Sequence, residues 1–216
     1  MVRVKRYENI PVDVKEIIRY VKGDDCIVES INDLLTSLQG RVKYDVCYDI
    51  FPCKVDGEVC DLSFIKVKSK DLARILKGCG KVLLFCASLG LEIDREIFLQ
   101  GKLSPYKALL LQGIGTERIE SLCDTFLFDF QKELGENEGL TTRFSAGYGD
   151  LPLSLQTDII KSLNAERLIG VTLNSSLLMS PSKSVTAFVG IKEGKSEDKT
   201  SCDGCNSENC EFRRKQ

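Results

Sequence analysis

The sequence predicts a domain of mixed helix and strand. Three observations carry that reading. Apolar residues recur at helical spacing over 12–22, where Val14, Ile17, Ile18 and Val21 share a face, and again from Ile27 to Leu38. The period then switches to two: Val42, Tyr44, Val46, Tyr48 and Ile50 alternate with Lys43, Asp45, Cys47 and Asp49, the pattern of a half-buried strand. Two later runs, Lys81 to Ala87 and 183–191, are short and rich in apolar, small and β-branched residues, as buried strands are.

Taken in order, the first helix is expected to stop at Gly23. Asp24 and Asp25 can cap the second, whose stripe is Ile27, Val28, Ile31, Leu34, Leu35 and Leu38, with Gly40 ending it. After the strand of alternating residues, Asp56-Gly57 between Val55 and Val59 signals a hairpin, because both residues tolerate positive φ. Ser69 can cap a short helix over 70–77, stopped by Gly78. Ser88-Leu89-Gly90 turns the next strand into a helix over 91–100. A long helical stretch runs from Ser104-Pro105 to about Leu134, interrupted by Gly113 and Gly115. Residues 135–150 are loop-rich. Helical pieces follow at 152–163 and 164–169, with Asn164 as cap and Gly170 as stop, before the final strand over 183–191. From Lys192 onward the sequence is charged and nearly free of apolar residues, so 1–191 reads as the domain and 192–216 as a flexible cysteine-containing tail. No internal repeat is visible.

With 216 residues, the chain is long enough to bury roughly two-thirds of its unfolded surface around a real core. Thirty basic against thirty-two acidic residues leave a net charge of −2, which makes no electrostatic case for nucleic acid or an anionic membrane. No apolar run reaches the length of a membrane span. Met1 to Tyr20 lacks a signal-peptide core, so a cytoplasmic location is expected. The sequence contains no histidine, which excludes a Ser–His–Asp triad, a Cys–His pair and any imidazole ligand to a metal or a corrinoid cobalt. No DxHxxG motif, the signature of a corrinoid-binding domain, is present either. Chemistry, if any, must be carried largely by a cofactor or a partner.

Four segments are candidates for function. In 143–153, Gly147 and Gly149 flank Tyr148, with Arg143 upstream: an arginine that can fork onto a carboxylate, a ring that can cover a flat ligand, and glycines that admit close approach. The plainer alternative is a surface loop leading into a helix capped by Asp150. In 113–120, two glycines within a helical pattern imply close packing or a kink beside a ligand, with Glu120 on the helix that follows or merely exposed. No GxxxxGK[ST] or GxGxxG is present to cradle a phosphate. Ser180-Pro181-Ser182-Lys183-Ser184-Val185-Thr186 reads as a turn into a strand. Cys202-x2-Cys205-x4-Cys210 suits zinc, another soft metal or an iron–sulfur cluster, although three thiolates are one short of a closed tetrahedral site; a redox-sensitive tail is the alternative. Disulfides are a poor default for the other cysteines, and several of them sit in apolar runs and read as small buried hydrophobes.

Together, Arg143-x3-Gly147-Tyr148, Gly113-Ile114-Gly115-x4-Glu120, Pro181-x-Lys183-Ser184-Val185-Thr186 and the terminal Cys-x2-Cys-x4-Cys-x-Phe-Arg resemble the activation (reactivation) domain of vitamin B12-dependent methionine synthase. The standalone bacterial proteins of that family, with their RFSPGYGD-type loop, are the nearer likeness. The resemblance covers nearly the whole chain and implies an α+β fold: a twisted antiparallel sheet flanked by helices, with a shallow S-adenosylmethionine site. It implies that Arg143, Ala146 and Tyr148 hold that cofactor, with Glu120 on the preceding helix and with Gly147, Val185 and Thr186 beside them. Ala146 stands where the standalone relatives commonly have proline, and the full-length synthases place tyrosines near the positions of Val185 and Thr186.

What the resemblance implies for function is a reactivation subunit acting in trans. It would support reductive methylation of cob(II)alamin in a methionine synthase lacking its own activation domain, with cobalamin supplied by the partner's cobalamin-binding domain and electrons by a flavodoxin- or ferredoxin-type reductant. No residue is assigned a catalytic role, since the sulfonium makes the methyl group labile and the protein supplies proximity and orientation. The alternative is an iron–sulfur or zinc-containing redox or docking protein that acts on a corrinoid protein without S-adenosylmethionine.

Overall fold

The computed structural model describes residues 1–135 and 137–194. In chain order the elements are β1 (Arg3–Tyr7), α1 (Val14–Val21), α2 (Val28–Leu38), β2 (Tyr44–Pro52), β3 (Lys54–Asp56), β4 (Val59–Asp61), β5 (Lys66–Lys68), α3 (Lys70–Ile75), β6 (Cys79–Ser88), α4 (Glu92–Leu103), α5 (Pro105–Glu133), β7 (Glu138–Leu140), α6 (Gln156–Ser162), α7 (Ala165–Ile169), β8 (Thr172–Leu173), β9 (Met179–Ser180) and β10 (Ser184–Glu193). Single 3-10 turns at Asp25–Ile27 and Leu153–Leu155 lead into α2 and α6. Five strands form one sheet in the order β1-β2-β6-β10-β7, every neighbouring pair antiparallel. With helices over the sheet, this is the α+β architecture expected. None of the described helices is long and apolar enough to cross a membrane.

The sheet is buried on both faces. On one, Val46, Tyr48, Phe85, Ala87 and Val189 meet Ile17 of α1, Ile31 of α2, Ile93 of α4 and Ile114 and Phe126 of α5. On the other, Cys47, Leu84, Cys86 and Phe188 meet Leu72 of α3, Ile159 of α6 and the β3–β4–β5 sheet through Cys60. Two covered faces explain why β6 reads as an unbroken apolar run: Val82 through Ala87 are all fully buried. They also correct the half-buried reading of β2, where Cys47 faces a second core rather than solvent.

Other local expectations are refined. α5 runs unbroken for 29 residues, so Gly113 and Gly115 do not interrupt it. They admit neighbours instead. A Cβ at 113 would overlap Val21 Cγ1 where α1 crosses, and one at 115 would lie 2.8 Å from Lys183 Cε and 3.0 Å from Ile93 Cγ2. The left-handed residue ending α1 is Lys22 (φ 53°), not Gly23, whose missing Cβ makes room for Ile27. In the hairpin the turn residues are Gly57 and Glu58, because Asp56 already pairs with Val59. β10 continues to Glu193, pairing with Glu138, so the strand extends two residues past its expected end. β1, β5, β8 and β9 were not signalled by the pattern, nor was β7, which lies in the segment read as loop. β1 alternates, but its charged residues suit an edge position.

Candidate functional site

The site forms where the segment after β7 returns along β10. The Phe144 amide donates to the Phe188 carbonyl (3.0 Å), and the Phe188 amide to the Phe144 carbonyl (2.8 Å). Backbone groups on one edge of an antiparallel strand recur at every second residue. Those of Thr186, like those of Phe188, therefore face this side of β10, beyond the point where the loop pairs. The loop then tightens: the Gly147 amide donates to the Leu151 carbonyl (2.9 Å) and the Leu151 amide to the Tyr148 carbonyl (3.0 Å). Gly149 takes φ 53°, and a Cβ there would overlap Asp71 Oδ2, so the loop closes against α3 only because residue 149 is glycine.

Asp150 locks that closure. Its carboxylate accepts from Ser69 Oγ (2.5 Å), the Lys70 amide (2.7 Å) and the Asp71 amide (3.3 Å). It therefore caps α3, far away in sequence, and not the helix that follows it. The Ser69 hydroxyl and then the Lys70 amide hold its carboxyl below the usual range. Asp150→Ala is expected to cost about 1 kcal/mol at neutral pH, the worth of an N-cap. Because the folded value is depressed, that contribution is complete above the ordinary aspartate range near 3.9 and fades as pH falls through the lowered folded value. Melting temperatures of variant and wild type should converge in strong acid; a constant gap would remove the carboxylate from the cap.

A cavity of about 780 Å³ opens between this loop, β10, α5 and α3. Glu120, Arg143, Ala146, Tyr148, Val185 and Thr186 all line it. Gly147 is not a lining residue; its φ of 92° sets the turn between Ala146 and Tyr148. Arg143 Nη2 donates to Glu120 Oε2 (3.0 Å) and Asp124 Oδ1 (2.8 Å) from α5. Burial disfavours its charge, but the carboxylates of Glu120 and Asp124 outweigh that and raise its pKa. Among the lining residues, Glu120 and Asp71 set carboxylates beside the guanidinia of Arg143 and Arg74, so the cavity can meet both charges of a zwitterionic ligand. Tyr148 is 67% exposed at the mouth, while Thr186 is buried and its hydroxyl donates to Gln156 Oε1 (2.8 Å).

Several lining residues were not anticipated. Gln156 is a polar side chain buried among apolar ones, a mismatch that only the folded structure shows. Asp71 and Leu177 to Met179 carry no motif. The Ser180–Lys183 segment is structural: Ser182 binds Asp94 through its amide (2.7 Å) and hydroxyl, and Lys183 Nζ donates to the Gln112 carbonyl (3.2 Å) and Thr116 Oγ1 (3.1 Å). Burial lowers the Lys183 pKa.

Cys202, Cys205 and Cys210 lie outside the described residues. Among the described residues no cluster of three or more cysteines and carboxylates is arranged to hold a metal. Cys47, Cys53, Cys60, Cys79, Cys86 and Cys123 are buried free thiols, whereas Cys26 is exposed. Burial pushes Cys53 up to about 11 and Cys123 to about 12, so both stay protonated and unreactive.

No family model and no curated protein matches the chain. Among solved structures it is similar to the MetH reactivation domain bound to AdoHcy. The TM-score is 0.67 at 13% sequence identity, over 88% of this chain and 78% of that one. The fold is that of the MetH reactivation domain. At this identity the likeness establishes architecture.

Proposed function

We propose that the cavity binds S-adenosylmethionine and that the chain serves as a reactivation subunit for a cobalamin-dependent methionine synthase lacking its own activation domain. The observation that carries this reading is the convergence of Arg143, Tyr148 and Glu120 on one cavity, in a fold shared with a domain solved with AdoHcy. The residues fit the ligand. The volume is within the range of small-molecule sites. Arg143 offers its guanidinium to the carboxylate of the methionine end. The Glu120 carboxylate on the cavity wall can meet an ammonium or sulfonium charge. Tyr148 can cover one face of the adenine, and the Thr186 backbone can meet its polar edge.

When bound, S-adenosylmethionine supplies a methyl group activated by the sulfonium. The chain's residues orient it toward cobalamin held by the partner, so the protein's contribution is placement. No side chain needs to move a proton, which agrees with a sequence free of histidine. The electron comes from a flavodoxin- or ferredoxin-type reductant. The test adds the protein, S-adenosylmethionine and a reductant to an oxidised synthase without an activation domain. Recovery of methionine formation is expected. Absence of both recovery and calorimetric S-adenosylmethionine binding would defeat the reading. Val185 and Thr186, standing where the full-length synthases carry tyrosines, favour a second reading, docking on a corrinoid protein without the cofactor; the same calorimetry separates the two.

A further inference from the structure

The α4–α5 hairpin carries apolar side chains that nothing described covers. Phe98 is 68% exposed, Leu103 70%, Leu109 52%, Tyr106 48% and Leu99 47%. Side chains of that size at those exposures open on the order of 500 Å² of apolar surface, the scale at which a patch marks an interaction site rather than scattered exposure. Its rim is cationic. Lys102 Nζ lies 4.3 Å from the Phe98 ring centroid, Lys107 follows Tyr106, and neither has a carboxylate partner among the described residues.

The patch adjoins the cavity wall. Ser182 binds Asp94 of α4, and Lys183 binds Gln112 and Thr116 of α5, immediately before Ser184 enters the cavity. Phe98 lies one helical turn beyond Asp94, and Leu109 one turn before Gln112. A protein seated on the hairpin would therefore stand beside the cavity.

We propose that this hairpin face docks the protein that holds the cobalamin, through a surface with an apolar centre and an acidic rim; the inference rests on the reactivation reading above. The cationic rim calls for an acidic partner surface, and the hairpin's place beside the cavity makes the protein that receives the methyl group that partner. A second copy in two-fold pairing would bring four lysines, two from each protomer, into one interface with no acid among the patch's own described residues to match them. The sequence beyond Gly194 supplies Phe212 as its one large apolar residue, too little to cover five such side chains.

The test measures binding of the full chain to the cobalamin-loaded domain of a methionine synthase, for wild type and for Phe98→Asp and Leu103→Asp. Both side chains are exposed, so the fold should tolerate the changes, and circular dichroism with thermal melting checks it. At least tenfold weaker docking is expected for each, with S-adenosylmethionine binding unchanged by calorimetry. Unchanged docking by folded variants overturns the proposal. So does wild type that binds S-adenosylmethionine but not the domain, or wild type that self-associates through these residues in sedimentation. If S-adenosylmethionine does not bind wild type but docking is lost in the variants, the cofactor reading fails and the docking surface stands.

Discussion

Replacing Arg143 with alanine is expected to weaken S-adenosylmethionine binding by about 2–4 kcal/mol, roughly thirty- to a thousand-fold in Kd. The size follows from where the guanidinium sits. Its side chain is only 14% exposed, wedged over Cys123, with Glu120 and Asp124 both on Nη2. Truncation removes the guanidinium that the loop itself presents to a ligand carboxylate, leaving Arg74 of α3 as the other lining arginine. It also removes the guanidinium that bridges Glu120 and Asp124, so thermal melting must accompany the titration to separate lost contacts from a loosened loop. Arg143→Lys keeps the charge and loses the planar fork, and should fall between wild type and alanine. Binding by the alanine variant as tight as wild type would place the ligand elsewhere.

Much of the sheet could be read in the sequence because period-two and buried-run signals are local. β2, β6 and β10 were placed within a few residues. Features set by distant neighbours could not be read that way. Cys47 looked solvent-facing because the strand around it alternates, yet α3 and α6 lie over that face and bury it. Asp150 precedes a helix and so looked like its cap; it serves α3 because Gly149 lets the loop approach Asp71. The site shows the same division. Arg143, Tyr148 and Glu120 were singled out by a family pattern, whereas Gln156 and Asp71 reach the cavity through tertiary packing alone.

The neighbouring pair Glu117 and Arg118 offers the largest expected effect on stability. Adjacent residues on a helix do not normally face one another. Here both are almost fully buried and turn together under the N-terminal segment. Arg118 Nε and Nη2 donate to Glu117 Oε2 (2.6 Å) and Oε1 (2.7 Å). Its remaining donors reach the carbonyls of Ile10 (3.1 Å) and Pro11. Glu117 Oε1 also accepts from the Asp13 amide (2.9 Å) and Ser121 Oγ (2.7 Å). The pair thus anchors the chain entering α1 to the middle of α5. Glu117→Ala strips Arg118 of its counter-charge where water cannot replace it and orphans the Asp13 amide, so a loss of about 3–5 kcal/mol is expected. That is a large share of the roughly 5–15 kcal/mol that holds a domain folded. Urea unfolding should show a lower midpoint with little change in slope. Glu117→Leu combined with Arg118→Met removes both charges and should recover much of the loss, because an apolar pair avoids the uncompensated charge. If the single alanine change costs less than about 1 kcal/mol, water reaches Arg118 in the folded protein, and the buried pair does not anchor the N-terminal segment.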